Sequence, residues 1–407
     1  MFQPVQITDG VYYVGVNDRR KLLFENQFPV PYGVSYNAYL ICDEKVALVD
    51  TVDVGFSDLF LQKIESVIGN REIDYLIINH MEPDHSGSIR RIRERYPRIR
   101  IVANAKTFDM LDGYFGITDH LHEVKDSSML ELGRHRLRFA LTPMVHWPET
   151  MMTFDLTDQI LFSGDAFGTF GALNGALIDE TLDITPFWNE MRRYYACIVG
   201  KYGVPVQNAM AKLKDMEIQY ICTTHGPVWH GHIRHTLQLY DRWSRYEAAP
   251  GAVIAYGSMY GNTEQMAEAI AEGVVRGGIK EIVMYDTSHT DSSYILSDIF
   301  QYSGFIVGSP TYMGGILPQV ESLLHKIEVR GVKNRTCAVF GSFTWAGMAI
   351  KKIMPAMEAM KWEIIGSVEE KQALKQGTYG DCIALGKALA EKIISQGTVI
   401  ENTTLLP

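Results

Sequence analysis

Short apolar runs alternate with longer amphipathic stretches along the whole chain, the pattern of an α/β protein. Val11-Tyr12-Tyr13-Val14, Tyr39-Leu40-Ile41 and Ala47-Leu48-Val49-Asp50 predict an opening meander of strands. A helical stretch from Phe56 to Gly69 follows, then a wholly apolar strand, Tyr75-Leu76-Ile77-Ile78, closed by Asn79. The stretch carrying Arg90, Arg91, Arg93, Arg95, Arg98 and Arg100 predicts a basic helix, either a solvated face or a docking patch for an acidic partner. More strands are predicted at Leu141-Thr142-Pro143-Met144-Val145, Ile160-Leu161-Phe162-Ser163-Gly164 and Tyr220-Ile221-Cys222-Thr223-Thr224. The pattern breaks between Ser244 and Gly251, which predicts one domain over 1–249 and a second over 250–407. In the second, strands at Ala252-Val253-Ile254-Ala255-Tyr256, Phe305-Ile306-Val307-Gly308 and Cys337-Ala338-Val339-Phe340-Gly341 each run into a loop of small and hydroxyl residues.

Composition narrows this picture. A length of 407 residues exceeds one ordinary domain, and 46% hydrophobic with 21% charged residues suits a folded soluble protein. The net charge of -10 excludes a general nucleic-acid binder, which needs a basic excess to neutralise phosphates. Met1 to Gly10 lacks the features of a secretion signal, and no apolar run has the length of a membrane span. Five scattered cysteines, odd in number and without a C-x-x-C pair, read as reduced thiols of a cytoplasmic protein. They also exclude a built-in four-cysteine iron or zinc module.

The candidate chemistry gathers at strand ends. His80-Met81-Glu82-Pro83-Asp84-His85 follows the Tyr75 strand, and an extended reading points His80, Glu82 and Asp84 into one volume. His146-Trp147-Pro148, Asp165 and His225-Gly226-Pro227 close three other predicted strands. A lone histidine is more often packed or capped than a ligand. Four such strand ends, supplying three histidines and three carboxylates, suit two metal ions with one carboxylate able to bridge them.

In the second domain, Gly257-Ser258-Met259-Tyr260-Gly261-Asn262-Thr263 joins a strand to a helix predicted from Glu264 to about Gly277. Such a loop can cradle a phosphate on backbone N–H groups, the Ser258 and Thr263 hydroxyls and the helix N-terminus, although a tight turn with an N-cap has the same composition. The absence of G-K-[ST] excludes a nucleoside-triphosphate loop. Two later loops, Ser309-Pro310-Thr311-Tyr312-Met313-Gly314 and Ser342-Phe343-Thr344-Trp345-Ala346-Gly347, bring Tyr312 and Trp345 to flank a planar ring. In a doubly wound sheet these three loops meet at the switch point, which predicts a mononucleotide flavin, FMN.

The motif order H-x-E-x-D-H, H-W-P, G-D-A-F-G, H-G-P and S-M-Y-G-N-T resembles the flavodiiron proteins, or A-type flavoproteins, over nearly the whole chain. The resemblance implies an N-terminal metallo-β-lactamase-like αββα sandwich followed by a C-terminal flavodoxin-like domain. It implies reduction of O2 to water, of NO to N2O, or of both, at a non-haem diiron site fed through FMN. One iron would be held by His80, Glu82 and His146, the other by Asp84, His225 and a bridging Asp165, with His85 beside the ligands. Hydrolases of this fold carry His where Glu82 stands, and the harder carboxylate favours iron over zinc. A tyrosine pair of the family matches Tyr194-Tyr195, with core packing as the other reading of either residue. Many members carry a histidine on the early loop and another just after D-A-F-G, whereas this chain has Phe24-Glu25-Asn26-Gln27-Phe28 and Gly168-Thr169-Phe170. The end at Pro407, with no rubredoxin-like extension, matches the minimal two-domain type. Also implied are a head-to-tail homodimer or a dimer of dimers, and an external donor: rubredoxin, a reduced deazaflavin or a nicotinamide-linked reductase. Two rivals remain at this level, a dinuclear zinc hydrolase fused to a flavodoxin and an FMN electron-transfer protein with a structural metal domain.

Overall fold

Strands and helices sort into two units, each built around its own apolar core. The computed structural model describes residues 3–396. One unit runs up to Tyr195 and resumes over Tyr202–Asp241; the other takes Ala196–Lys201 and the described chain from Arg242 onward.

The first unit holds two sheets. A seven-stranded sheet has the order Val5–Thr8, Val11–Tyr13, Tyr39–Cys42, Val46–Val49, Tyr75–Ile77, Arg100–Ala103, Leu121–Glu123. Its opening strands pair antiparallel, as a meander must, and the last four run parallel. The five-stranded sheet has the order Met129–Glu131, Arg136–Leu141, Met151–Asp155, Ile160–Gly164, Tyr220–Thr223, with its last pair parallel. Ala47, Val49 and Ile77 of one sheet share a core with Phe139, Met151 and Phe162 of the other, and the Tyr39 and Phe162 rings meet at 5.3 Å. All four residues of Val46–Val49 are buried, as a strand covered on both faces requires. Helix Ser57–Ile68 buries Phe60, Leu61, Ile64 and Ile68 along one stripe. These layers form the expected αββα sandwich.

Three local expectations change. Pro83–Ser86 is a helical turn, not extended chain, because Pro83 stands where a helix tolerates it, in the first turn. The strand before His146 stops at Leu141, and residues 142–150 turn back through hydrogen bonds such as Thr150 Oγ1 to the Thr142 carbonyl. The arginine-rich helix covers only Ile89–Arg95, Arg100 opens the next strand, and Arg91, Arg93 and Arg95 are paired with Asp58, Asp119 and Glu65.

In the second unit five parallel strands lie in the order Ile282–Asp286, Ala249–Tyr256, Tyr302–Pro310, Thr336–Phe343, Glu363–Lys371. This is a doubly wound, flavodoxin-like sheet whose order reverses beside Ala249–Tyr256. The first strand starts at Ala249, and a register shift between Ala249 and Ala252 takes up Pro250, which has no N–H to give to the ladder. Among the described residues no helix is long and apolar enough to cross a membrane.

Helices Asn262–Arg276 and Gln376–Ser395 pack backbone to backbone through glycine. A Cβ on Gly273 would stand 2.1 Å from the Ile383 carbonyl oxygen, and one on Gly386 2.1 Å from that of Ile270. Gly386→Ala is therefore expected to destabilise this unit by roughly 1–3 kcal/mol despite the better helix propensity of alanine. Gly377→Ala, in the same helix with no neighbour within 4 Å of its Cβ, should leave it unchanged or stabilise it. Calorimetric unfolding of the full chain distinguishes the two.

Candidate metal centre and flavin cavity

The metal-ligand candidates stand where the chain leaves both sheets of the first unit. Asn79 fixes the first of them. Its N–H and side-chain amide donate to the two oxygens of Asp50 at 2.8 and 3.1 Å, and its own Oδ1 accepts from Thr153 Oγ1 at 2.8 Å. The next residue, His80, faces Glu149, whose Oε1 lies 2.7 Å from His80 Nδ1 and accepts the Met81 N–H at 3.0 Å. That contact leaves Nε2 as the nitrogen turned into the site. His225 is held the same way, Nδ1 2.7 Å from the Ser35 carbonyl.

Two clusters result. His80, Glu82, His146 and Asp165 form one, with His146 Nε2 3.1 Å from both Glu82 Oε2 and Asp165 Oδ2. Asp84, His85 and His225 form the other, with His225 Nε2 3.3 Å from Asp84 Oδ2. Asp165 reaches both: Oδ2 faces His80 and His146, while Oδ1 lies 3.0 Å from His85 Nε2 and 3.8 Å from His225 Nε2. Thr224 Oγ1 donates to that same Oδ1 at 2.5 Å and sets the carboxylate's orientation.

These residues fit metal ions. Asp84 is almost fully buried, yet its oxygens form no hydrogen bond and have only the His85 and His225 Nε2 atoms nearby, at 3.4 and 3.3 Å; those two Nε2 atoms form none either, and buried His85 Nδ1 likewise forms no hydrogen bond. Such atoms would be costly to bury unless a cation satisfied them. The charges agree. Burial pulls the imidazoles down, but Asp165, Glu149 and Glu82 overcome it and hold His80 well above the usual histidine range. Against the same burial, His85 is raised to about 9 by Asp84 and Asp165, and His146 to about 9 by Asp165 and Glu82. Asp165 is held well below the usual carboxylate range: burial opposes this, and His85 and His80 outweigh it. A site that draws this much positive charge as protons offers the same attraction to divalent ions.

His85, expected beside the ligands, thus stands among them, because the helical turn at Pro83–Ser86 rotates it inward with Asp84. The tyrosine pair separates: Tyr194 is buried with its ring 5.5 Å from His225 and its hydroxyl unpartnered, while Tyr195 packs edge-on against Tyr240. Glu149 and Asp50 carry the site without having been expected from sequence. The one available signal was a carboxylate three residues after His146 in His146-Trp147-Pro148-Glu149.

At the carboxyl ends of the second unit's strands lies a cavity of about 440 Å³. Ser258, Met259, Tyr260, Asn262 and Thr263 line it from the first loop, Pro310 to Gly314 from the second, and Ser342 to Ala346 from the third. Met348 and Gln372 join them. Gly261, Ser309 and Gly347 do not reach the wall. Gly261 instead turns the chain at φ +86°, and buried Ser309 accepts the Leu317 N–H through Oγ. Tyr260, Met313 and Trp345 are 89, 90 and 86% exposed, so large apolar groups rim a polar floor, as a planar ring with a phosphate tail requires.

Two His–carboxylate clusters joined by one aspartate, together with a flavodoxin-like switch-point cavity, define a two-domain metalloflavoprotein. A family model described as ODP family beta lactamase matches residues 34–226, and the Flavodoxin model matches residues 254–386. A nitric oxide reductase of Moorella thermoacetica is 33% identical, over 97% of this chain and 100% of that protein. The solved rubredoxin oxygen:oxidoreductase of Desulfovibrio gigas superposes with a TM-score of 0.93 at 30% identity, covering 97% of this chain and 99% of that one. The flavodiiron protein of Giardia intestinalis gives 0.92 at 26% identity, covering 97% of each chain. The chain belongs to the flavodiiron protein family.

Glu149→Gln keeps the shape but exchanges a charged acceptor for a neutral one at His80 Nδ1. Metal affinity of the His80 cluster is expected to fall roughly 10–100-fold, read by competition with a chelator, with the fold unchanged by circular dichroism.

Proposed function

We propose that this chain is an oxidoreductase that reduces O2 to water, NO to N2O, or both, at a diiron site supplied with electrons through FMN. The observation that carries the reading is Asp165, whose two oxygens face two separate ligand clusters. In this reading His80, Glu82 and His146 hold one ion, Asp84 and His225 hold the other with His85 in reach, and Asp165 bridges them. Domain 1–249 is the diiron domain and 250–407 the FMN domain, with Ser258 to Thr263 around the phosphate and Tyr312 and Trp345 flanking the ring. When bound, the two irons and FMN together can store the four electrons that O2 reduction consumes.

The protein's own part is positional. Glu149 and Ser35 fix the His80 and His225 rings so that Nε2 faces the centre. Thr224 keeps the Asp165 plane between the two clusters. Buried carboxylates hold charge where two ions must sit close together, and Glu82 supplies the hard ligand that favours iron. An external donor, whether rubredoxin, a reduced deazaflavin or a nicotinamide-linked reductase, reduces the flavin, and a second copy of the chain completes a head-to-tail dimer in the cytoplasm.

The test is one anaerobic preparation with chemically reduced flavin, assayed for metal, FMN and gas uptake. About two irons and one FMN per chain, with O2 or NO consumed, is the expected result. Two zinc ions and no gas uptake would leave the hydrolase. Iron and FMN without turnover would leave the electron-transfer protein.

A further inference from the structure

Two indoles stack beside the loop that carries Asp165. Trp229 is fully buried, and its ring lies 4.9 Å from that of Trp188 at an interplanar angle of 21°. Trp229 follows His225 by four residues, and its Nε1–H donates to the Phe167 carbonyl at 2.9 Å. Phe167 stands two residues after Asp165 and holds a left-handed backbone, φ +66°, which a bulky side chain rarely adopts. Such strain persists only where the surrounding structure enforces it. Here the Trp229 hydrogen bond does so, together with the Tyr240 ring 4.5 Å from that of Phe167. The inner indole is thus tied to the segment that presents the bridging aspartate.

Trp188 differs from its partner. It is only half-buried, and His235 and His232 stand edge-on to it at 4.7 and 5.6 Å. The outer ring therefore reaches polar groups and solvent, while the inner one is sealed in the core. That contrast matters for oxidation. An indole can lose an electron before it loses its proton, so a buried indole can relay a positive charge outward. A phenol must release its proton at once, and fully buried Tyr240 has no solvent to receive it.

We propose that Trp229 and Trp188 form an exit for oxidising equivalents, leading from the metal centre to the protein surface. The inference rests on the redox reading given above. When O2 arrives and fewer electrons are on hand than its reduction consumes, Trp229 gives one electron to the centre and takes one from Trp188. Trp188 then releases one proton to water and is left as a neutral indolyl radical. A small-molecule thiol restores it by giving one hydrogen atom, and two spent thiols join as a disulfide. Each such event draws one oxidising equivalent away from the metal ligands.

The test uses the full-length protein loaded with iron and FMN and given hydrogen peroxide without any reductant. Wild type, Trp188→Phe and Trp188→Tyr are compared by freeze-quench electron paramagnetic resonance and by peptide mass spectrometry, each beside its metal-free form. Iron-loaded wild type should show an indolyl radical, with oxygen added chiefly at Trp188 and several-fold above the metal-free form. Trp188→Phe should abolish that radical and shift oxidation several-fold toward Trp229 and the ligand histidines, with circular dichroism and initial iron content unchanged. Trp188→Tyr should restore a radical at this position, now of tyrosyl type, which a packing role alone would not produce. Equal Trp188 oxidation with and without iron, or ligand damage indifferent to the substitution, would overturn the proposal. Failure to bind iron, or peroxide left unconsumed by the loaded protein, would overturn the reading of the centre and this exit with it.

Discussion

One aspartate governs the arrangement of the first unit. Asp165 has both oxygens committed to opposite clusters, and both must be met within 4 Å by imidazoles from different parts of the chain. His80 comes from one sheet, His225 from the other, and His146 from a loop after Leu141. The two sheets can therefore slide against each other very little without breaking the convergence. The core between them, where Tyr39 meets Phe162 and Phe139 lies with Val49 and Ile77, sets that spacing. Packing and chemistry share one constraint: close-packed interiors resist small shifts, and a dinuclear site tolerates few.

Much of the site was legible in the sequence because ligands with recognisable chemistry follow strands with recognisable apolarity. The sequence reading placed His80, Glu82, Asp84, His146, Asp165 and His225 at strand ends, and the structure brings all six into two adjoining clusters. What it could not show was how the chain turns between ligands. His85 enters the cluster because Pro83 starts a helical turn, a conformational choice that six residues leave open. Glu149 and Asp50 were invisible for another reason: each acts through a residue distant in sequence, His80 and Asn79, and only the fold makes them neighbours.

The fold was legible where burial is two-sided. Val46–Val49, Tyr75–Ile77 and the three inner strands of the second unit's sheet are apolar runs that cannot sit on a surface, and they were found, whereas its outer strands Ile282–Asp286 and Glu363–Lys371, only partly buried, were not. Boundaries were less legible. Leu141 to Val145 reads as strand by composition, yet Pro143 has no N–H to donate, and the segment turns instead. Conversely, the breaker-rich Ala249-Pro250-Gly251 is already strand, since a register shift absorbs the proline. In the cavity of the second unit, loop composition named most of the wall. Met348 escaped because it lies just past the Trp345 loop, and Gln372 because it follows a strand, Glu363–Lys371, that sequence alone did not single out.

The raised imidazoles of the metal centre make it a cation exchanger. Without metal, His80, His85 and His146 keep protons at neutral pH, because Asp165, Glu82, Asp84 and Glu149 surround them. For His85 and His146 the resulting stabilisation of the metal-free fold is complete below the unfolded histidine value of about 6.5 and is lost as pH rises through about 9. Ions entering the centre must expel those protons, so each proton displaced makes metal retention about tenfold weaker per pH unit of acidification. Acid and alkali therefore favour different counter-ions for the same carboxylates. Protons hold the fold when the medium is acidic, and metal holds it when the medium is not.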